Sequence, residues 1–328
     1  MKVAAGGVRG LLAGIALSVA SLAALTGADQ SAKIPRIGVL FPADTSSPLE
    51  QGLRQGLRDF GYSEGVNIVV EWRRSAETTR ELKSLATDLA NSGVQLMVVF
   101  STPADRAVTE VTTVPVVALA GDPLGAGLAV SLARPDRNIT GVSLMTTELT
   151  AKRLELLHQM APRARRIVVL MNTSNPTASR QLDEAKRGAG VLGLQLVPTD
   201  ARDAAELDAT LRRLNRDTAD AVLVTGDLLL MSNRAKIARA LRSASLPAIY
   251  PNRRYHDEGA LMSYGPYVKE AAHRLASFVD RILKGAKVGD LPFEQVAKFE
   301  LVIDTRIARE QRIEVPQTLL LRADEVIK

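Results

Sequence analysis

Short apolar runs alternate with amphipathic stretches along this chain, and the alternation occurs twice. Residues 36–40 form an apolar run that ends at Phe41-Pro42. Leu49, Leu53, Leu57 and Phe60 then recur at helical spacing until Gly61 stops the pattern. Residues 67–72 predict a second strand, Leu82, Leu85, Ala86 and Leu89 a second helix face, and residues 94–100 a third strand. Only Gln95 interrupts that third run, the mark of a strand buried on both faces. A short helix after Pro103 and a fourth strand over 116–119 complete the unit. The same order returns about 130 residues later. Residues 166–170 predict a strand, 177–192 a helix closed by Gly193, and 194–197 a strand. Leu207, Leu211 and Leu214 mark the next helix, and residues 221–224 the next strand. Pro115 and Pro247 hold equivalent places just ahead of the two fourth strands.

Strands separated by helices pair in parallel through right-handed crossovers. The pattern therefore predicts an α/β protein of two doubly wound, parallel-sheet lobes. After Tyr250 one long helix (267–283) and one further strand (298–303) remain, too few for a third domain. Used as one extra element per lobe, they require the chain to cross between lobes repeatedly. The predicted partition is lobe 1 from 29–141 plus 251–288, and lobe 2 from 142–250 plus 289–328. Hinges are expected near 140–143, 250–252 and 285–291.

Composition narrows the class. Hydrophobic residues make up 46% and charged residues 24%, which fits a folded domain rather than a disordered or polytopic membrane chain. The chain has no Cys, so disulfides, thiolate metal sites and cysteine nucleophiles are excluded. A net charge of +6 without clustering gives no nucleic-acid groove. Residues 1–28 carry Lys2 and Arg9, an apolar middle and the small-residue end Thr26-Gly27-Ala28. They read as a signal peptide cleaved near Ala28, which predicts a free periplasmic protein.

In open parallel sheets ligands bind outside the carboxyl ends of the strands. The first copy places Ala43 to Pro48 there, with Ser46 and Ser47, then Ser101-Thr102-Pro103-Ala104, then Gly121-Asp122-Pro123. The second copy places Asn172 to Pro176 there, with Asn175, then Gly226-Asp227, then Tyr250-Pro251-Asn252. Such residues are ordinary helix caps, but a capped helix start also receives carboxylates. Thr102, Ser46, Ser47 and the N–H groups beyond Pro103, including that of Ala104, are the candidate carboxylate donors. Asp122 and Asp227 are the candidate ammonium acceptors, with Asn172 and Asn175 beside them. Tyr250 and Tyr264 are candidate walls for an apolar group, among twelve aromatics in all. No nucleophile elbow, zinc-protease motif or P-loop occurs, and the Gly125-Ala-Gly127 segment lacks the third glycine of a dinucleotide fingerprint. His158, His256 and His273 fall in unrelated places, and Arg253-Arg254 reads as a solvated basic run. No cofactor, metal or catalytic residue is expected.

The chain resembles the exported substrate-binding proteins of ABC importers, in the branch that includes tryptophan- and tyrosine-type binding proteins. The residues that carry this are Gly56-Leu-Arg-Asp-Phe-Gly-Tyr62 with Asn67-Ile-Val-Val-Glu71, Thr102-Pro-Ala104, and Gly121-Asp-Pro-Leu-Gly-Ala-Gly-Leu128. Leu132-Ala-Arg-Pro135 with Asn138-Ile-Thr-Gly141, Leu246-Pro-Ala-Ile-Tyr250 and Gly259-Ala-Leu-Met-Ser-Tyr-Gly265 add to it. So do Ile282-Leu-Lys-Gly285, Lys298-Phe-Glu-Leu-Val-Ile303 and the closing run from Leu320 to Ile327. The resemblance implies a type I periplasmic-binding fold with three crossovers between lobes. It implies a small-molecule ligand, an amino acid of aromatic or branched side chain, and delivery to an ABC permease and its ATPase. Contact with the membrane would be through the permease alone, and the protein a monomer. Asn172 to Pro176 matches the Asn-Pro loop of relatives. Thr225-Gly-Asp227 departs from their more apolar turn, which leaves the side-chain preference open. Two other readings stay open: a ligand-sensing module that docks on a membrane receptor, and a secreted α/β enzyme.

Overall fold

The computed structural model describes residues 1, 34–42, 48–75 and 79–328. The predicted signal segment, and Ser46 and Ser47, lie outside the described residues. Pro35–Lys328 forms one compact unit. Its elements run, in chain order, β1 (Arg36–Pro42), α1 (Pro48–Asp59), β2 (Val69–Ser75), α2 (Thr79–Asn91), β3 (Leu96–Phe100), α3 (Thr102–Val111), β4 (Val116–Ala120) and β5 (Ile139–Ser143). Then come α4 (Leu149–Met160), β6 (Arg166–Met171), α5 (Ala178–Leu192), β7 (Gln195–Asp200), α6 (Ala204–Arg213), β8 (Ala221–Val224), α7 (Leu228–Ser232), α8 (Arg234–Ser243) and β9 (Ala248–Tyr250). A 3-10 turn (Arg253–Glu258) leads to β10 (Met262–Pro266), α9 (Val268–Leu283), β11 (Glu294–Gln295), β12 (Phe299–Asp304), α10 (Thr305–Glu310), α11 (Gln317–Leu320) and β13 (Glu325–Ile327).

The strands form two sheets, in the orders β11-β5-β4-β3-β1-β2 and β13-β12-β10-β9-β8-β6-β7. All described pairings are parallel except β10 with β12. Strand alternation explains the layers. Val98 and Phe100 of β3 face one core cluster while Met97 and Val99 face another. In β6, Ile167 and Val169 face one cluster and Val168 and Leu170 the other. Each sheet is therefore covered on both faces, and its central strands read as unbroken apolar runs. Gly193, at φ 65°, caps α5 where the sequence places its end.

The chain crosses between the sheets three times, after Ser143, between Pro266 and Val268, and between Gln295 and Phe299. The second and third crossings fall later than the sequence predicts. β10 pairs with both β9 and β12, which holds residues 251–266 with the second sheet. β11 pairs with β5, and Thr140 Oγ1 donates to the Leu291 carbonyl at 2.7 Å, which holds residues 289–295 with the first. Residues 250–252 and 285–291 thus lie inside lobes, not at hinges. Arg153 of α4, fully buried, ties the first crossing to β10. Its Nε donates to the Tyr264 carbonyl at 2.8 Å and its Nη1 to the Thr146 carbonyl at 3.3 Å. Burial without a carboxylate partner lowers its pKa to about 10.

Candidate functional site: the cleft between the sheets

The carboxyl ends of β3 and β4 face those of β6, β8 and β9 across a cleft of about 150 Å³. The lower edge begins where β3 stops. Ser101 adopts φ 148°, ψ 146°, a conformation that favours glycine and costs a serine roughly 1–3 kcal/mol. Its Oγ caps α3 by accepting the Ala104 N–H at 3.3 Å. Thr102 follows, and its Oγ1 accepts the Gly121 N–H at 3.2 Å, joining the ends of β3 and β4. Thr102 lines the cleft, and a hydroxyl that accepts one bond still carries a hydrogen to donate. Gly121 is required by close approach: a Cβ there would sit 2.8 Å from Thr146 Oγ1.

The opposite edge is built around Asp227, the cap of α7. Its carboxylate accepts the Leu230 N–H at 3.1 Å and Asn175 Nδ2–H at 2.9 Å, with Asn172 Nδ2 at 3.3 and 3.4 Å. These partners are themselves fixed. Asn175 Oδ1 accepts from the Thr177 N–H and hydroxyl, at 3.0 and 2.9 Å, so its amide nitrogen must turn to Asp227. Gln181 brackets the Gly226 peptide, accepting its N–H at 2.8 Å and donating to its carbonyl at 3.0 Å. The result is an anion held by neutral donors, with no Arg or Lys in ion-pair contact among the described residues. Burial raises the pKa of its carboxyl, and the bonds from Asn175, Leu230 and Asn172 oppose that rise.

Apolar walls complete the cleft, with Leu49, Phe100, Leu119, Leu144, Leu228 and Met231 among its lining. Thr146 from the first crossing, Asn252 and Arg254 also line it. Asn252 Oδ1 accepts the Arg254 N–H at 3.1 Å, which seats that arginine at the rim. A larger groove, of about 920 Å³, lies between residues 160–164 and 311–317. It belongs to one lobe and to the amino ends of β8 and β9, the wrong edge for a ligand site in a parallel sheet.

The cleft brings together Thr102, Asn175 and Asp227, with Asn172 bonded to Asp227. Four other candidates lie elsewhere. Ala104 is 2% exposed in a core cluster and its N–H is taken by Ser101, so it offers a ligand nothing. Asp122 is occupied outside the cleft, accepting from the Gly125 N–H at 2.7 Å and Thr147 Oγ1–H at 2.8 Å. Tyr250 is 2% exposed and stacks on Tyr255 at 4.6 Å inside the second lobe. Tyr264 packs on Phe299 at 6.1 Å, away from the cleft. The sequence reading missed Thr146, because β5 and the crossing after it carry too few apolar residues to stand out. It missed Arg254 by treating Arg253-Arg254 as one solvated run, whereas only Arg253 is turned outward, to Glu325.

Two facing, mostly parallel sheets, three crossings and a cleft at the strand ends define a two-lobed protein of the type I periplasmic-binding fold. The chain belongs to the family described as ABC transporter substrate binding protein, which it matches over residues 36–327. It is 25% identical over 284 residues to a tyrosine-binding protein of Clostridioides difficile (strain R20291), covering 85% of this chain and 81% of that one. It is also similar to the crystal structure of an ABC domain in complex with L-Trp from Streptococcus pneumonia, at TM-score 0.83 and 25% identity, over 89% of this chain and 99% of that one. A conserved domain protein from Vibrio cholerae O1 biovar El Tor str. N16961 aligns at TM-score 0.85 and 25% identity, over 90% of this chain and all of that one.

Proposed function

We propose that this substrate-binding protein captures an amino acid with an apolar side chain between its lobes and delivers it to an ABC permease and its ATPase. The observation that carries the reading is Asp227, an amide-held anion at one edge of an apolar cleft, opposite the Thr102 hydroxyl. A zwitterion needs an acceptor for its ammonium and donors for its carboxylate. Asp227 supplies the first, Thr102 and Arg254 the second, and the leucine-rich lining receives the side chain. The tyrosine-binding and L-Trp-bound relatives support an amino-acid ligand. The signal-like segment at 1–28 supports export to the periplasm. The substrate-binding family supports a reading of binding rather than catalysis.

One observation favours a branched aliphatic over an aromatic side chain. Phe100 is the single aromatic ring among the described lining residues, since Tyr250 is buried in the second lobe and Tyr264 lines a separate surface groove. The test is mass spectrometry of the ligand released from purified protein, followed by calorimetry with L-leucine, L-isoleucine, L-tyrosine, L-tryptophan and L-glutamate. Binding of an apolar member and not of glutamate is expected. Retention of a sugar or a dicarboxylate, with no response to the apolar set, overturns the reading.

A further inference from the structure

Asp122 and Arg180 meet across the two lobes, outside the cleft. Asp122 follows β4 of the first lobe and is 2% exposed. Its Oδ1 accepts the Gly125 N–H, which closes its own loop. Its Oδ2 faces the second lobe, accepting Thr147 Oγ1–H at 2.8 Å and standing 3.4 Å from Arg180 Nε. Thr147 lies just past the first crossing, close to the pivot. Arg180 is carried on the first turn of α5, so a rotation of the lobes moves it against Asp122 more than it moves Thr147. Gly125 leaves room for both partners: a Cβ there would stand 2.2 Å from Asp122 Oδ2 and 2.8 Å from Arg180 Cδ, so the bare backbone admits the carboxylate and lets the arginine stem lie across the loop.

The surrounding charges make the arginine the element that holds the joint. Glu148, at the start of α4, is exposed on its outer side; partial desolvation is the main cause that raises its carboxyl pKa, Asp122 and Glu184 add to the rise, and its own backbone N–H and Arg180 oppose it. Glu184 is paired with Arg187 on the same helix. Without Arg180, Asp122 and Glu148 would repel across the lobe junction, and Asp122 would be buried without a cation.

We propose that Arg180 is a positioning residue for ligand capture: its contact with Asp122 clasps the lobes together and sets how far the closed form is populated. The clasp does not depend on which ligand the cleft takes. It follows that interlobe geometry responds to Arg180 in the ligand-free protein.

The absence of native cysteine allows two spin labels to be placed cleanly, at Val66→Cys in the first lobe and Val191→Cys in the second, both exposed. Interlobe distances are then measured by pulsed electron resonance on ligand-free full-length protein, with and without Arg180→Gln and Arg180→Lys. Arg180→Gln should lower the ratio of short to long distances by about fivefold, the upper range for an ion pair this exposed. Arg180→Lys should restore part of it, and melting temperatures should stay close together, since a surface-accessible arginine is not part of either core. Identical distance distributions in the parent and Arg180→Gln overturn the proposal. So does a shift that Arg180→Lys leaves wholly uncorrected while the melting temperature falls, because that marks local disruption rather than a charge clasp.

Discussion

Asp227 owes its availability to the groups around it. Neutral amides hold its carboxylate in place and supply no counter-charge, which is why the proposed function gives it the ligand's ammonium. Removing one member of a buried charged contact costs about 3–5 kcal/mol, which is more than a hundredfold in affinity. Asp227→Asn is therefore expected to weaken amino-acid binding about a hundredfold by calorimetry, with Asp122→Asn affecting it far less. The pH dependence has a definite sign. Burial raises the Asp227 pKa, and a bound ammonium favours the charged form. Affinity should fall as pH is lowered through that raised pKa, and Asp227→Asn should abolish the dependence. Two buried groups set opposing trends in stability. His256, 8% exposed, has its pKa lowered from 6.5 to about 4 by burial, so the stability it contributes is full above 6.5 and lost as pH falls toward 4. Glu300, 5% exposed, has its pKa raised from 4.5 to about 7, so its contribution is full below 4.5 and lost as pH rises toward 7. Between pH 4.5 and 6.5 the two offset. Urea unfolding should show Glu300→Gln losing stability as pH falls through that window, and His256→Gln losing it as pH rises. Residue roles were only partly legible in the sequence. A polar residue after a strand announces a position at the sheet edge, but which way its side chain turns depends on the other lobe. Asp122 and Asp227 look alike in sequence, yet one meets Arg180 and Thr147 and the other opens to the cleft.

The elements were read more faithfully where their periodicity is strong. β3, β4, β6 and β8 are unbroken apolar runs and α1, α5 and α9 carry clean apolar faces, so local pattern suffices. β5 escaped notice as a strand because its five residues include Thr140, Gly141 and Ser143, and its burial comes from β4 and β11 rather than from its own composition. β10 also escaped notice as a strand, and its residues were read with the first lobe: Tyr264, Gly265 and Pro266 make no apolar run, and only pairing to β9 and β12 places them. The junction of β4 with the first crossing gives an element-scale prediction. Gly121→Ala places a Cβ against Thr146 Oγ1 and should displace that crossing, weakening ligand binding about tenfold, in line with the 1–3 kcal/mol typical of overpacking. Thr146→Ala in the same chain removes the clashing atoms and should recover most of the loss. A double-mutant cycle by calorimetry checks the coupling, which vanishes if the two positions act independently.

Across the whole molecule, the repeat in the sequence is the feature that foretold two lobes, and the three crossings turn those lobes into a hinged pair. Arg153 grips the first crossing and β10 by their carbonyls, Arg180 and Asp122 clasp one flank, and Lys298 meets Glu270 at 3.0 Å on another. Such thin, tethered connections can absorb a backbone rotation while each double-faced core stays rigid. On the proposed function, a ligand held by Asp227 from one lobe and Thr102 from the other would bind the closed arrangement better than an open one, and that difference would drive closure. The direct test is small-angle X-ray scattering on protein stripped of ligand by unfolding and refolding, then titrated with L-leucine, L-tryptophan and L-glutamate. The radius of gyration should fall on saturation with an apolar amino acid, stay constant with glutamate, and stay constant throughout in Asp227→Asn at the same concentrations. An unchanged radius at calorimetrically proven saturation would contradict capture by closure of the two lobes.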